Sequence, residues 1–315
     1  MSSSPTLAQK LSAEAIGTAI LVFIGAGSVP LTLLLTGSNP FGSAELSTIS
    51  FAFAFAIFAA VYSVGHISGC HINPAVTVAL LATRKIDGRT AGAYIVAQLA
   101  GAFIGAALTL IILTGNDPAK LGLGAVSVNA NAGIAVGVAA EVIGTAILVF
   151  TVFGAAVDGR APGGFAGLII GFIVYGIIIL VGPITGAALN PARQIGPEVL
   201  GALIGAKTHF DQLLPVYIVG PIIGGLVGAF TYEFVGHHRA ATCLLYTSPS
   251  PRRLSGTMSS TALMSFFTRL GAFVAMDSSW ESWTGVTAVD GQAAASTAGV
   301  SGMPATTGAS RPMNW

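Results

Sequence analysis

The sequence predicts an all-α membrane protein with six transmembrane helices and two re-entrant half-helices arranged as an inverted repeat. Three observations carry this. The chain is strongly apolar, with 53% hydrophobic residues, 8% charged residues and a mean hydropathy of +0.82, whereas a soluble domain carries about 25% charge. An Asn-Pro-Ala triplet occurs twice, at Asn73-Pro74-Ala75 and Asn190-Pro191-Ala192. A ten-residue segment recurs almost unchanged in the second half of the chain.

Scanning for apolar stretches of about 20 residues, the length that crosses about 30 Å of hydrocarbon, places spans near 11–35, 47–66, 90–113, 134–157, 164–182 and 212–235. The residues before the first span, Met1 to Lys10, are few and polar, with no cleavage-site pattern. The first span is too long for a signal-peptide core and is expected to be retained. In the second span, Phe51 to Ile57 alternate large and small residues like a strand. An open strand cannot satisfy its backbone in lipid, so a helix is expected there too.

Each triplet follows a membrane-length apolar segment. Asn favours the N-cap and Pro the first helical position, where its missing N–H is no loss. Both triplets therefore read as helix starts. The run after the first reaches Arg84-Lys85 about ten residues on, roughly 15 Å of helix. That is half a bilayer.

Glu14 to Phe23 matches Glu141 to Phe150 at nine of ten positions, with an offset of 127 residues against 117 between the triplets. Each half is thus three spans with a half-helix after the second. Three is odd, so the second copy starts from the other face of the membrane, related to the first by a pseudo-two-fold axis in the membrane plane. The half-helices then meet N-terminus to N-terminus near the midplane. Glycines recurring every fourth position, Gly101/Gly105, Gly167/Gly171 and Gly220/Gly224/Gly228, mark faces where helices approach closely.

The distribution of Lys and Arg orients the chain. With the N-terminus inside, Lys10, Arg84, Lys85, Arg89, Arg160 and Arg239 lie on the cytoplasmic side, and Lys120 and Lys207 lie opposite. Both termini are expected in the cytoplasm. Residues 1–240 form the expected channel domain, with repeat halves at about 9–113 and 134–236. Residues 241–315 turn rich in Ser, Thr, Gly, Ala and Pro and are expected as a disordered tail. An equal alternative is a read-assembly artefact, since Cys243 to Arg252 looks like a translated sequencing adapter.

The residues Ser63 to Thr77 and Thr185 to Arg193, in register in both halves, resemble the two pore loops of the major intrinsic protein family, the aquaporins and glycerol facilitators. The similarity covers about residues 9–236. It implies six tilted helices around a narrow pore, a homotetramer with one pore per subunit, and a multi-pass protein of the plasma or cell membrane. The implied permeants are water and small neutral solutes such as glycerol and urea. The expected partners are the lipid bilayer and further copies of the chain. No cofactor, metal or nucleic acid is expected, the net charge being +1.

In each half-helix the Asn side-chain oxygen is expected to accept from the first-turn N–H groups. That leaves the NH₂ groups of Asn73 and Asn190 to face the lumen, backed by two positive helix ends of about half a charge each. Arg193 sits one turn beyond Asn190. A charge at that depth costs about 2.5–3.5 kcal/mol unless it meets water or a partner, so a constriction donor is expected. By the family's register, the other constriction positions fall on Phe53, Ile178 and Ala187. Strict water channels usually carry His where Ile178 stands. Glycerol channels combine Trp with a second aromatic and a small residue, and carry Asp where this chain has Gln194. The set is intermediate, apolar on three sides with one cationic donor.

Glu14 and Glu141 occupy equivalent repeat positions. They are expected to accept hydrogen bonds from the non-helical loop backbone, which lipid cannot satisfy. His71 is expected at the cytoplasmic vestibule, where gating by its protonation is the sharper reading and loop packing the plainer one. Cys70 is expected as a buried small residue. Ion-coupled transport would need further midplane carboxylates, and catalysis a nucleophile–base pair or metal set. The spans offer neither, so the expected function is passive conduction of water and neutral solutes with exclusion of protons and ions.

Overall fold

The computed structural model describes residues 4–37 and 41–236. Six helices in it are long and apolar enough to cross a membrane, and no strand occurs among the described residues. They are α1 (Leu7–Thr36), α2 (Ser43–Ser68), α4 (Gly88–Ile112), α5 (Gly133–Val157), α6 (Ala166–Thr185) and α8 (Phe210–Gly236). Two short helices fall between them, α3 (Pro74–Ala82) and α7 (Pro191–Leu203). The boundaries lie within four residues of those read from hydropathy. The differences are polar turns that hydropathy overlooks. A capping box, with Thr6 and Gln9 bonded reciprocally, starts α1 before its apolar run, and Asp87 caps α4 by accepting from the Thr90 N–H at 3.0 Å. The expected tail, 241–315, lies outside the described residues.

The packing repeats across the two halves. Helix α1 packs along α2 and α4, as α5 packs along α6 and α8, and α2 and α6 pack on each other between the halves. Each half-helix crosses over: α3 packs against α8, and α7 against α4. The internal duplication therefore folds as two interlocked copies.

Small residues permit the close approaches. A Cβ on Gly105 of α4 would stand 2.7 Å from the Ala19 carbonyl of α1. A Cβ on Gly101, one turn away, would meet the Ala15 carbonyl. At the equivalent places on α8, Gly224 and Gly228 face the Val142 and Ala146 carbonyls of α5. In hydrocarbon, side-chain burial adds little drive for association, so backbone approach and dispersion hold such pairs. The glycine spacing read from the sequence marks these contacts.

Apolar side chains cover the outside as well as the core, and several polar groups are buried. Leu35, Val96, Leu180 and Phe234 stand exposed on the outside. Glu14, Gln98, Glu141, Arg193, Gln194 and Glu198 are buried. An apolar exterior, with the buried polar groups shielded inside an otherwise apolar core, suits a bilayer as solvent.

Candidate functional site: a pore between two half-helices

Helix α2 ends at Gly69 (φ 90) and α6 at Gly186 (φ 76), both left-handed. From each glycine the chain runs non-helically for four residues, the glycine included, to an Asn that starts the next half-helix. Within these loops Cys70 and Ile72 take φ of 50 and 43, and Ala187 and Leu189 take 50 and 55. Such conformations are strained for non-glycine residues and persist only where their surroundings fix them.

A buried carboxylate fixes each loop. The Oε1 of Glu14 accepts from the His71 N–H at 2.9 Å and the Ser68 hydroxyl at 2.7 Å, and its Oε2 accepts from the Ile72 N–H at 2.7 Å. Glu141 repeats the pattern with the Ala188 N–H at 2.9 Å, the Thr185 hydroxyl at 2.6 Å and the Leu189 N–H at 2.7 Å. In a trans peptide the carbonyl points opposite to the N–H. The carbonyls of Cys70, His71, Ala187 and Ala188 therefore face away from the carboxylates, and these residues line a cavity.

At the loop ends Asn73 and Asn190 cap their half-helices. Asn73 Oδ1 accepts from the Ala75 N–H at 2.8 Å, and Asn190 Oδ1 from the Ala192 N–H at 3.0 Å. Pro74 and Pro191 occupy the first helical positions. Ala75 and Ala192 are fully buried, and the Ala75 carbonyl lies against Gly225 of α8. The amides are not wholly free, in contrast to the sequence reading. Asn73 Nδ2 donates to the Leu189 carbonyl at 2.9 Å, and Asn190 Nδ2 donates to the Ile72 carbonyl at 2.8 Å. Each NH₂ carries two hydrogens, and one of them ties the half-helices together.

The cavity, about 300 Å³, is lined by both asparagines and reaches Lys85 and Val157 at one side. Phe53, Ile178, Ala187 and Arg193 all lie on its wall and are buried. Gly25 makes room for Phe53, since a Cβ there would stand 2.9 Å from the ring's Cγ. The Arg193 guanidinium carbon lies 5.1 Å from the centre of the Phe53 ring, within cation–π range. Its Nη1 donates to the Gly124 carbonyl at 2.8 Å. His71 also lines the cavity, its Nδ1 3.2 Å from the Thr77 hydroxyl and its ring edge-on to Tyr94. Cys70 is a buried free thiol on the same wall.

The sequence reading missed several groups. Gln98 Nε2 bridges Glu14 at 2.8 Å and Thr77 at 2.9 Å, and a buried amide amid an apolar span was its signal. Tyr94 donates to the Ser68 carbonyl at 2.8 Å, and Tyr217 to the Thr185 carbonyl at 2.9 Å, pinning the helix ends before each loop. The part of Gly124 is played by a carbonyl, which no residue type announces. Glu233, inside α8, pairs with Lys85 at 3.2 Å.

Six spanning helices enclosing two opposed half-helices, and a largely apolar cavity that both asparagines and Arg193 line, define a membrane channel. The major intrinsic protein family model matches residues 1–232, and the chain belongs to that family. Among its relatives, the chain is 43% identical to Aquaporin AqpM of Methanothermobacter thermautotrophicus over 243 residues, 73% of this chain and 98% of that one. It is 36% identical to Nodulin-26 of Glycine max over 228 residues, 72% of this chain and 78% of that one. The fold is similar to the X-ray structure of the aquaglyceroporin from Plasmodium falciparum. There the TM-score is 0.65 at 27% identity, covering 73% of this chain and 97% of that one. It is a multi-pass membrane channel and not an enzyme.

Proposed function

We propose that the channel conducts water as its main permeant, passes small neutral solutes such as glycerol and urea more slowly, and excludes protons and ions. The reciprocal pair Asn73 and Asn190 carries this reading. Each offers one N–H to the lumen at the positive end of a half-helix. A water passing between them presents its oxygen to both donors and turns its hydrogens outward. A single file then cannot relay protons through that point, and a cation meets a positive potential. Exclusion by an Arg and half-helix dipoles is the known logic of such pores.

Selectivity among neutral permeants is assigned to Phe53, Ile178, Ala187 and Arg193. Arg193 supplies the one cationic donor of the set and holds the permeant's oxygen. Ile178 offers no hydrogen bond and reaches less far from its backbone than an imidazole, which favours solutes wider than water. The names of the relatives, aquaporins, support water. The aquaglyceroporin neighbour supports a solute flux beside water, and the alternative is that glycerol is the main permeant. Proteoliposome swelling separates the two. A water rate well above the glycerol rate is expected, and equal rates overturn the ranking.

Glu14 and Glu141 are read as structural acceptors for the loops, and His71 as a vestibule residue whose ring is held by Thr77. The protein is further proposed to be a homotetramer in the plasma membrane, with both termini cytoplasmic, and to need only residues 1–240 for conduction.

A further inference from the structure

The segment between α4 and α5 reaches Arg193 at Gly124, whose carbonyl is its nearer anchor. The second anchor, Gln194 Oε1, lies 3.4 Å from the same Nη1, and the buried Nε has no hydrogen-bond partner among the described residues. The guanidinium is thus held mainly through one nitrogen, and its position depends on where the segment lies.

Gln194 fixes that position. Its side-chain amide pairs with the main chain of Val126 in both senses, Oε1 accepting from the Val126 N–H at 3.1 Å and Nε2 donating to the Val126 carbonyl at 2.8 Å. Gln194 is buried, and its Nε2 also donates to Glu198 Oε2 at 3.2 Å. Glu198 in turn accepts from the His209 N–H. Nothing in solvent competes for this amide, and it can be satisfied only with the segment in place. Val126 also packs against Gly186, next to Ala187 of the constriction.

We propose that Gln194 is a positioning residue for selectivity. It locks the Gly124–Val126 segment against the pore wall, and the Gly124 carbonyl then sets how far the Arg193 guanidinium projects into the lumen. This rests on the reading of Arg193 as a constriction residue. With the amide gone, the segment lifts, Arg193 loses its nearer anchor, and the opening relaxes toward wider solutes.

The test is stopped-flow measurement of water and glycerol permeability in proteoliposomes. Its variants are Gln194→Ala, Gln194→Glu, Gly124→Ala and Arg193→Val. The readout is the glycerol-to-water ratio, which is independent of how much protein folds. Gln194→Ala is expected to raise it about fivefold, equivalent to about 1 kcal/mol between the two barriers. Gln194→Glu keeps an acceptor for the Val126 N–H but loses the donor to the Val126 carbonyl and sets a carboxylate against Glu198, so it is expected to raise the ratio as Gln194→Ala does. If Gln194→Ala fails to insert, Gly124→Ala carries the test, because its Cβ would collide with the Ala26 carbonyl and displace the same segment; the same rise is expected. A ratio unchanged in these variants but altered in Arg193→Val overturns the proposal alone, as does an equal loss of both permeabilities. A ratio unchanged in Arg193→Val as well overturns the constriction reading and the proposal with it.

Discussion

Asn73 and Leu189, 116 residues apart in the chain, are joined by a 2.9 Å hydrogen bond from the asparagine amide to the leucine carbonyl. Its mirror runs from Asn190 to the Ile72 carbonyl at 2.8 Å. The two half-helices are therefore bonded directly to each other's loops. The asparagines cap and cross-link at once, and each duty uses a different atom of the carboxamide.

Replacing Asn73 by Asp separates these duties. The carboxylate still accepts from the Ala75 N–H, so the cap stays, but it cannot donate to the Leu189 carbonyl or to a passing water. The negative charge also opposes the positive helix end. A slower water flux and a cation or proton leak are expected in proteoliposomes carrying a pH-sensitive dye. Parent-like water flux with intact exclusion contradicts the assigned role.

Replacing Glu141 by Ala strands the Ala188 and Leu189 N–H groups and the Thr185 hydroxyl in a dry interior. Each unsatisfied donor costs about 1–3 kcal/mol. A large fall in the thermal midpoint in detergent is expected, and Glu14→Ala should behave alike. Parent-like stability with altered proton flux would favour a relay over the structural role.

Ile178→His adds a hydrogen-bonding group with a longer reach on the cavity wall. Glycerol and urea flux should fall by a larger factor than water flux, measured side by side by stopped-flow light scattering. An equal fall in all three removes Ile178 from the width-setting set.

One ion pair outside the spans gives a pH dependence. The Arg160 side chain first, and the Tyr232 hydroxyl next, hold the Asp158 carboxyl well below its ordinary range. A depressed native value favours the ionised fold. Its contribution is complete above the unfolded value of about 3.9, and is lost as pH falls toward the native one. The melting difference between parent and Asp158→Asn should therefore be larger at pH 7 than at pH 3. An unchanged difference argues against the linkage.

The fold was legible because its signals are local and periodic. Span lengths follow bilayer thickness, the Asn-Pro pairs mark helix starts, and the Glu14/Glu141 duplication imposes the inverted repeat. The candidate site was legible where a side chain makes the contacts, as with the caps Asn73 and Asn190 and with Arg193 on the cavity wall. It was illegible where backbone atoms do. The Leu189, Ile72 and Gly124 carbonyls take amide and guanidinium hydrogens, and Leu, Ile and Gly give no hint of that. The reading of the asparagine amides as wholly free failed for this reason. Gln98 and Gln194 were open to detection, since an amide in an apolar interior calls for partners, but partners 21 and 68 residues away cannot be read from spacing.

The most direct test of the paired-asparagine pore measures water and proton flux together in proteoliposomes of the parent chain. A water rate far above that of protein-free vesicles is expected, indifferent to an uncoupler, with an imposed pH gradient decaying no faster than in the vesicles alone. Collapse of that gradient in step with water flux, or a water rate equal to that of bare lipid, contradicts the account.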